Sequence, residues 1–196
     1  MSYRRAFALR RLFCSAAVLL SAAISTSRSQ AAFHLWNLHE VYTNASGTLQ
    51  FIELSTAFGS QQFVGSQQIN VSNIGNTITH SLTIPSDLPG DTTGHDFLIG
   101  TAGLHAAGGP VPDYIIPDGF LFSAGGSISF FGANSGPYSA LPTDGLLSRT
   151  WTGGNATNSP QNFAGQVGSV PEPATLTLCV CGGICAFVVL LHRRWR

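Results

Sequence analysis

Carboxylates and imidazoles gather in one stretch of this chain, where Asp87, Asp91, His95, Asp96 and His105 fall in a glycine-rich segment between two apolar runs. Oxygen and nitrogen donors at that density can converge on Ca²⁺ or a transition metal, with Asp91, His95 and Asp96 the tightest set. Short acidic side chains also close turns and stay solvated, which is the competing expectation for the same residues. Glu40 and Glu53 form a second pair. If the runs that carry them fold as a hairpin, the two can face each other, either as general acid and base or in a hydrogen-bonding role.

Motifs of known chemistry are missing. His39-Glu40 opens like a zinc-protease helix, but Thr43 stands where the second histidine would have to be. No serine has glycine two residues before and two after it, so there is no nucleophile elbow. Asp91-Thr92-Thr93-Gly94 has one threonine too many for an aspartic-protease loop and no second copy. All four cysteines, Cys14, Cys179, Cys181 and Cys185, lie outside residues 32–170, which excludes a thiol nucleophile or a disulfide there. No cofactor is expected, with bound Ca²⁺ as the alternative. Trp36, Tyr42, Tyr114, Tyr138 and Trp151 would make a sugar-stacking platform if exposed. Trp151, beside Arg149 in a glycine-flanked stretch, is the best placed of them.

The elements that position these groups read as strands. Between Ala32 and Val170 glycine, serine, threonine and asparagine punctuate short β-rich runs, as in a sandwich or barrel. Phe33 to Tyr42 and Thr48 to Ser55 flank Thr43-Asn44-Ala45-Ser46-Gly47 and predict a hairpin, with Asn44 and Gly47 suited to positive φ. In the first run Phe33, Leu35 and Val41 alternate against Trp36, Leu38 and Tyr42. Further strands are expected at Gln62 to Val64, Gln68 to Ser72, Thr77 to Ile84, Phe97 to Thr101, Phe120 to Phe122 and Ser127 to Phe131. Residues 155–169, polar and glycine-bearing, read as a flexible stalk, so the predicted domain is 32–154. Across residues 32–170 Arg149 stands alone against eight carboxylates, a net charge of minus seven, which repels a phosphate backbone and excludes nucleic acid as a partner.

Both ends read as handling signals. Arg4, Arg5, Arg10 and Arg11 precede an apolar segment from Leu12 to Ile24, and Ser29-Gln30-Ala31 supplies small residues for a signal peptidase. A signal peptide over 1–31, cut between Ala31 and Ala32, is expected, with general export favoured over the twin-arginine route. At the other end, Val170-Pro171-Glu172-Pro173 leads into an uncharged run, 174–191, followed by His192-Arg193-Arg194-Trp195-Arg196. As a helix that run is about 27 Å long, enough to cross a bilayer. Arg193, Arg194 and Arg196 in the basic tail 192–196 then place that end in the cytoplasm.

The order of Val170-Pro171-Glu172-Pro173-Ala174-Thr175, apolar span and terminal arginines resembles the PEP-CTERM sorting signal of bacterial exported proteins, here over 170–196. The resemblance implies an exosortase, a membrane-embedded cysteine transpeptidase, which cuts near Pro-Glu-Pro and passes the domain outward in bacteria that make exopolysaccharide. The three cysteines in the span depart from the usual leucine, glycine and alanine and leave lipidation or thiol chemistry open. Separately, Leu38-His39-Glu40-Val41-Tyr42, a turn and Gln50-Phe51-Ile52-Glu53-Leu54 resemble the opening of lamin-tail-like domains. That implies an all-β, immunoglobulin-like sandwich acting as a surface module and not as a catalyst.

The expectation is therefore a single sandwich ectodomain between a signal peptide and one transmembrane helix. Signal peptidase and exosortase process it, and it resides at the cell surface or in an extracellular polysaccharide matrix with a structural or adhesive role. The alternatives are a surface glycan hydrolase working through Asp and Glu, or a permanently anchored single-span membrane protein.

Overall fold

The computed structural model describes residues 33–130 and 134–170. The expected signal peptide over 1–31, Ala31, Ala32, Pro171, Glu172, Pro173, the expected span over 174–191 and the terminal arginines lie outside the described residues. Within them every regular element is a strand: Asn37–Thr43 (β1), Gln50–Thr56 (β2), Gln68–Asn73 (β3), Thr79–Thr83 (β4), His95–Thr101 (β5), Tyr114–Ile116 (β6), Gly126–Phe130 (β7), Ser135–Tyr138 (β8), Leu147–Thr150 (β9) and Asn155–Thr157 (β10). They form one sheet in the order β10-β9-β1-β2-β5-β6 and a second in the order β4-β3-β7-β8.

Alternation of side chains explains why the two sheets stack. Ile52, Leu54, Phe97 and Ile99 from the first meet Ile69, Val71, Ile128 and Phe130 from the second in one buried cluster. Trp36 docks edge-on against Phe97, ring centres 4.7 Å apart. The outer face of the second sheet is hydroxyl and amide. Gln68, Asn70 and Ser72 pair there with Thr83, Ser81 and Thr79 across β3 and β4. Of the strand expected from Thr77 to Ile84 only Thr79–Thr83 forms, so Ile78 precedes β4 and is exposed, while Leu82 and Ile84 turn inward.

The β1–β2 hairpin forms as expected, but the alternation of β1 changes phase. A bulge between Leu38 and Glu40 sets His39 and Glu40 together opposite Glu53. The extra residue keeps both Leu38 and Val41 on the core face, while Leu35 is exposed in a turn ahead of β1, a correction to the strict alternation read from the sequence. In the turn Gly47 takes φ 72°. Asn44 does not adopt positive φ; its side-chain oxygen instead accepts the Leu49 amide at 3.1 Å.

The first sheet is covered on its outer face as well. Tyr42, Leu49, Phe51, Leu98, Leu104 and Val170 form a second buried cluster there. Residues 155–169, expected as a flexible stalk, are instead packed, and from 158 on they run with Val170 across that face as a strap. Asn162 and Gln166 pair through both backbone and side chains, Gln161 bridges Val167, and Phe163 enters the main core. With β10 at 155–157 already part of the sheet, the domain runs to Val170 and not to residue 154. The sequence misleads because this strap is held by amide side chains, which in composition look like a linker.

Three short elements without clear alternation, β6, β8 and β9, complete the sheets, and Gln62 to Val64 and Phe120 to Phe122 are loops. Pro85, Pro89, Pro110, Pro112 and Pro117 all lie in connections, and Pro137 sits on the edge strand β8.

Candidate functional site

The bulge gathers the acidic side chains. His39, Glu53 and Asp96 come from three adjacent strands, and their donor atoms all lie within 4.8 Å of one another. His39 Nδ1 is 3.0 Å from Glu53 Oε1. Glu53 is buried, whereas the His39 side chain is 56% exposed, so the pair spans the boundary between interior and solvent. Burial pushes the Glu53 carboxyl above the usual range, with the nearby Glu40 adding to the effect and the His39 hydrogen bond opposing it. The same hydrogen bond raises His39 above its ordinary value. Asp96 is raised by burial too, against the pull of His39 and His95.

Glu40, Glu53 and Asp113 accept from the strap. Ser159 N–H donates to Glu40 Oε1 at 3.0 Å and its hydroxyl to Glu40 Oε2 at 3.2 Å. Gln161 N–H donates to Glu53 Oε2 at 3.3 Å. Phe163 N–H donates to Asp113 Oδ2 at 2.9 Å, and the same oxygen accepts the Leu98 amide at 2.8 Å. Alternate residues of the strap thus present their amides to carboxylates carried by β1, β2 and the residue before β6, as a crossing strand would to a row of acceptors. Asp113 is raised by burial although both amides work to lower it.

This geometry changes the reading of the acidic residues. Glu40 and Glu53 do stand in register, yet both are buried and each oxygen already has a donor, so neither presents itself to a substrate. Of the loop cluster only Asp96 joins the site. Asp91 is exposed and accepts from Thr92 N–H and the Thr93 hydroxyl, which hold its carboxyl below the usual range. Asp87 accepts the Gly65 amide at 2.7 Å. His95 donates to the Phe163 carbonyl and stacks on that ring, and His105 donates to the Gly109 carbonyl. Each is engaged locally, so Asp91, His95 and Asp96 do not form one ligand set.

His39, Glu53 and Asp96 are the described residues whose donor atoms could surround a cation. Within that set His39 Nδ1 is already bonded to Glu53 Oε1, so a metal that took both of these atoms would have to break that bond. The sequence held a signal for this arrangement in Leu38-His39-Glu40, whose odd spacing of apolar residues requires a bulge. The aromatic platform does not assemble. Trp36, Tyr42, Tyr114 and Tyr138 are buried. Tyr138, bonded to the Phe122 backbone, is pushed up to about 12 by burial. Trp151 stays partly exposed, with Gly136 beneath its ring where a Cβ would come within 3.2 Å.

Fold and site together define an all-β, two-sheet sandwich whose acidic side chains are bound into its own scaffold. No family model matches the chain, and no curated protein or solved structure matches it.

Proposed function

We propose that this chain is an exported structural or adhesive module of immunoglobulin-like topology, without catalytic activity, passed to the cell surface or extracellular polysaccharide matrix by an exosortase acting on 170–196. The observation that carries the non-catalytic reading is the use of Glu40, Glu53 and Asp113 as anchors for backbone amides 159, 161 and 163. A glycosidase needs two carboxylates free to reach one bond from opposite sides, and these are committed elsewhere.

The strand order supports the immunoglobulin-like reading. β1, β2 and β5 correspond to strands A, B and E, and β4, β3, β7 and β8 to C′, C, F and G. The short parallel β6 beside β5, and the β9–β10 pair beside β1, are additions to that plan. A domain of formal net charge minus seven suits a neutral polysaccharide better than an anionic one, with Trp151 as its stacking ring.

Replacing Pro171, Glu172 and Pro173 with alanine in the native host tests the sorting reading. The protein is expected to accumulate in the membrane fraction and disappear from the released one. Unchanged release would sink the proposal.

A further inference from the structure

The second sheet carries no charge. Its four strands lie within residues 54–86 and 119–143, which contain no Asp, Glu, Lys or Arg, so the eight carboxylates and Arg149 all belong to the first sheet and the remaining loops. His80, the one imidazole of the sheet, is turned inward and bonded to the Phe120 carbonyl at 2.8 Å. Soluble surfaces ordinarily mix charges of both signs, and edge strands are commonly guarded by lysine. The edge strands β4 and β8 have none.

Strand register sets the outward side chains of this sheet in ranks. Ser81 of β4 lies opposite Asn70 of β3, Asn70 opposite Ser129 of β7, and Ser129 opposite Ser135 of β8. Ser81, Ser129 and Ser135 are exposed and Asn70 is half-buried, while the residues that alternate with them, Ile69, Val71, Ile128 and Phe130, fill the core. A second rank, Thr79, Ser72 and Ser127, lies two residues along the strands. Within the first rank Ser81 Oγ donates to Asn70 Oδ1 at 2.6 Å, and Ser135 Oγ to Ser129 Oγ at 3.3 Å. Asn70 Nδ2 and the Ser129 hydroxyl proton make no hydrogen bond among the described residues, so both can donate outward.

Neutral donors and acceptors that recur at the strand spacing, about 4.8 Å, match a polymer whose hydroxyls recur at the length of one sugar ring. A charged polymer finds no counter-charge on this face, and the carboxylates elsewhere repel an anionic one. We propose that the rank Ser81, Asn70, Ser129 and Ser135 is the contact line for an extended, neutral, β-linked polysaccharide chain lying across the strands, one sugar to a strand. The line ends beside Trp151. Gly136, next in the chain to Ser135, is where a Cβ would come within 3.2 Å of that ring, so the ring stands at the β8 edge of the sheet. The contact line rests on the reading of the domain as a module for a neutral polysaccharide, and it moves the main contact from one aromatic ring to a sheet face.

Calorimetric titration of the full chain in detergent micelles tests it, with hydroxyethylcellulose as the neutral β-linked glucan and carboxymethylcellulose as its anionic counterpart. The neutral polymer is expected to bind and the anionic one to bind several-fold more weakly. Asn70→Ala should weaken binding about fivefold, the worth of one hydrogen bond, and Ser129→Arg, which raises a long side chain in the middle of the line, should abolish it. Ile115→Arg adds the same charge on β6, an edge strand of the other sheet, and should change nothing. Melting temperatures establish that each variant is folded, and Asn70→Ala decides the matter if Ser129→Arg is not. Binding that survives both face variants and is lost in Trp151→Ala would overturn the contact line and leave the neutral-polysaccharide reading standing. No binding of hydroxyethylcellulose would overturn both. Equal binding of the two polymers would overturn the contact line, as would a dimer, seen by light scattering without glycan, that Ser129→Arg disperses, since a second copy would then cover the face.

Discussion

Burying a carboxylate disfavours its charged form, and Glu53, Asp96 and Asp113 all bind a proton more readily in the folded chain than in the unfolded one. The stability each contributes is therefore present at low pH and lost as pH rises through its raised value. His39 acts in the same direction, its contribution disappearing as pH climbs past its raised value above 6.5. Asp91 and Asp144 are lowered and work oppositely, losing their contribution only below the ordinary 3.8. The melting temperature should consequently be higher at about pH 5 than at about pH 8 and fall again below about pH 3.5, as scanning calorimetry can follow. Glu53→Gln removes the buried charge but keeps an acceptor for the Gln161 amide. It should flatten the change between those two conditions, and an unchanged profile would show that Glu53 is not its source. Because His39 already partners Glu53, millimolar Ca²⁺ or Zn²⁺ should leave the melting temperature where it is. A rise of several degrees would mean that a cation binds the native state.

The strap is the element on which most of the outer face depends. Asn158→Ala strips donors from the Gly145, Leu146 and Val170 carbonyls and the acceptor from the Val170 amide, most of them buried, and should cost about 2–3 kcal/mol in denaturant melts. Val170→Ala removes methyl groups from a closed cluster and should cost about 2 kcal/mol. Ser169→Ala, on the exposed neighbour, should cost almost nothing. Hydrogen exchange over 158–170 should be slow in the native chain and quicken in Asn158→Ala; fast exchange in the native chain would restore the stalk. The elements legible in the sequence are those with enough residues to alternate: the hairpin, β3, β4, β5 and β7. β6, β8, β9 and β10 have three or four residues each, too few for a period to show, and β8 carries glycine and proline as well. The strap escaped because its stability comes from side-chain amides closing backbone groups, and only Phe163 and Val170, isolated apolar residues in a polar stretch, hinted that it packs. Glu40 opposite Glu53 was readable from hairpin register. Their commitment to amides 119 and 108 residues further along was not, since no local pattern encodes so distant a partner.

At the scale of the molecule the domain is three layers: a polar-faced sheet, a central sheet buried on both sides, and a strap with its neighbouring loop. Val170, the last of the described residues and buried, is also the first residue of the proposed sorting motif, so a cut at or beyond Pro173 leaves every described contact intact. Removal of the strap, by ending the chain after Thr157, would uncover Tyr42, Phe51 and Leu98 and take the strap's donors from Glu40, Glu53 and Asp113, leaving Asp113 only the Leu98 amide. The central claim is that the chain is exported and trimmed at both ends. Intact mass spectrometry of the native protein, recovered separately from membranes and from extracellular material, tests it most directly. The account predicts a released species that begins at Ala32 and ends near Pro173. A population found only in membranes and still ending at Arg196 would contradict it and mean that the tail is a permanent anchor.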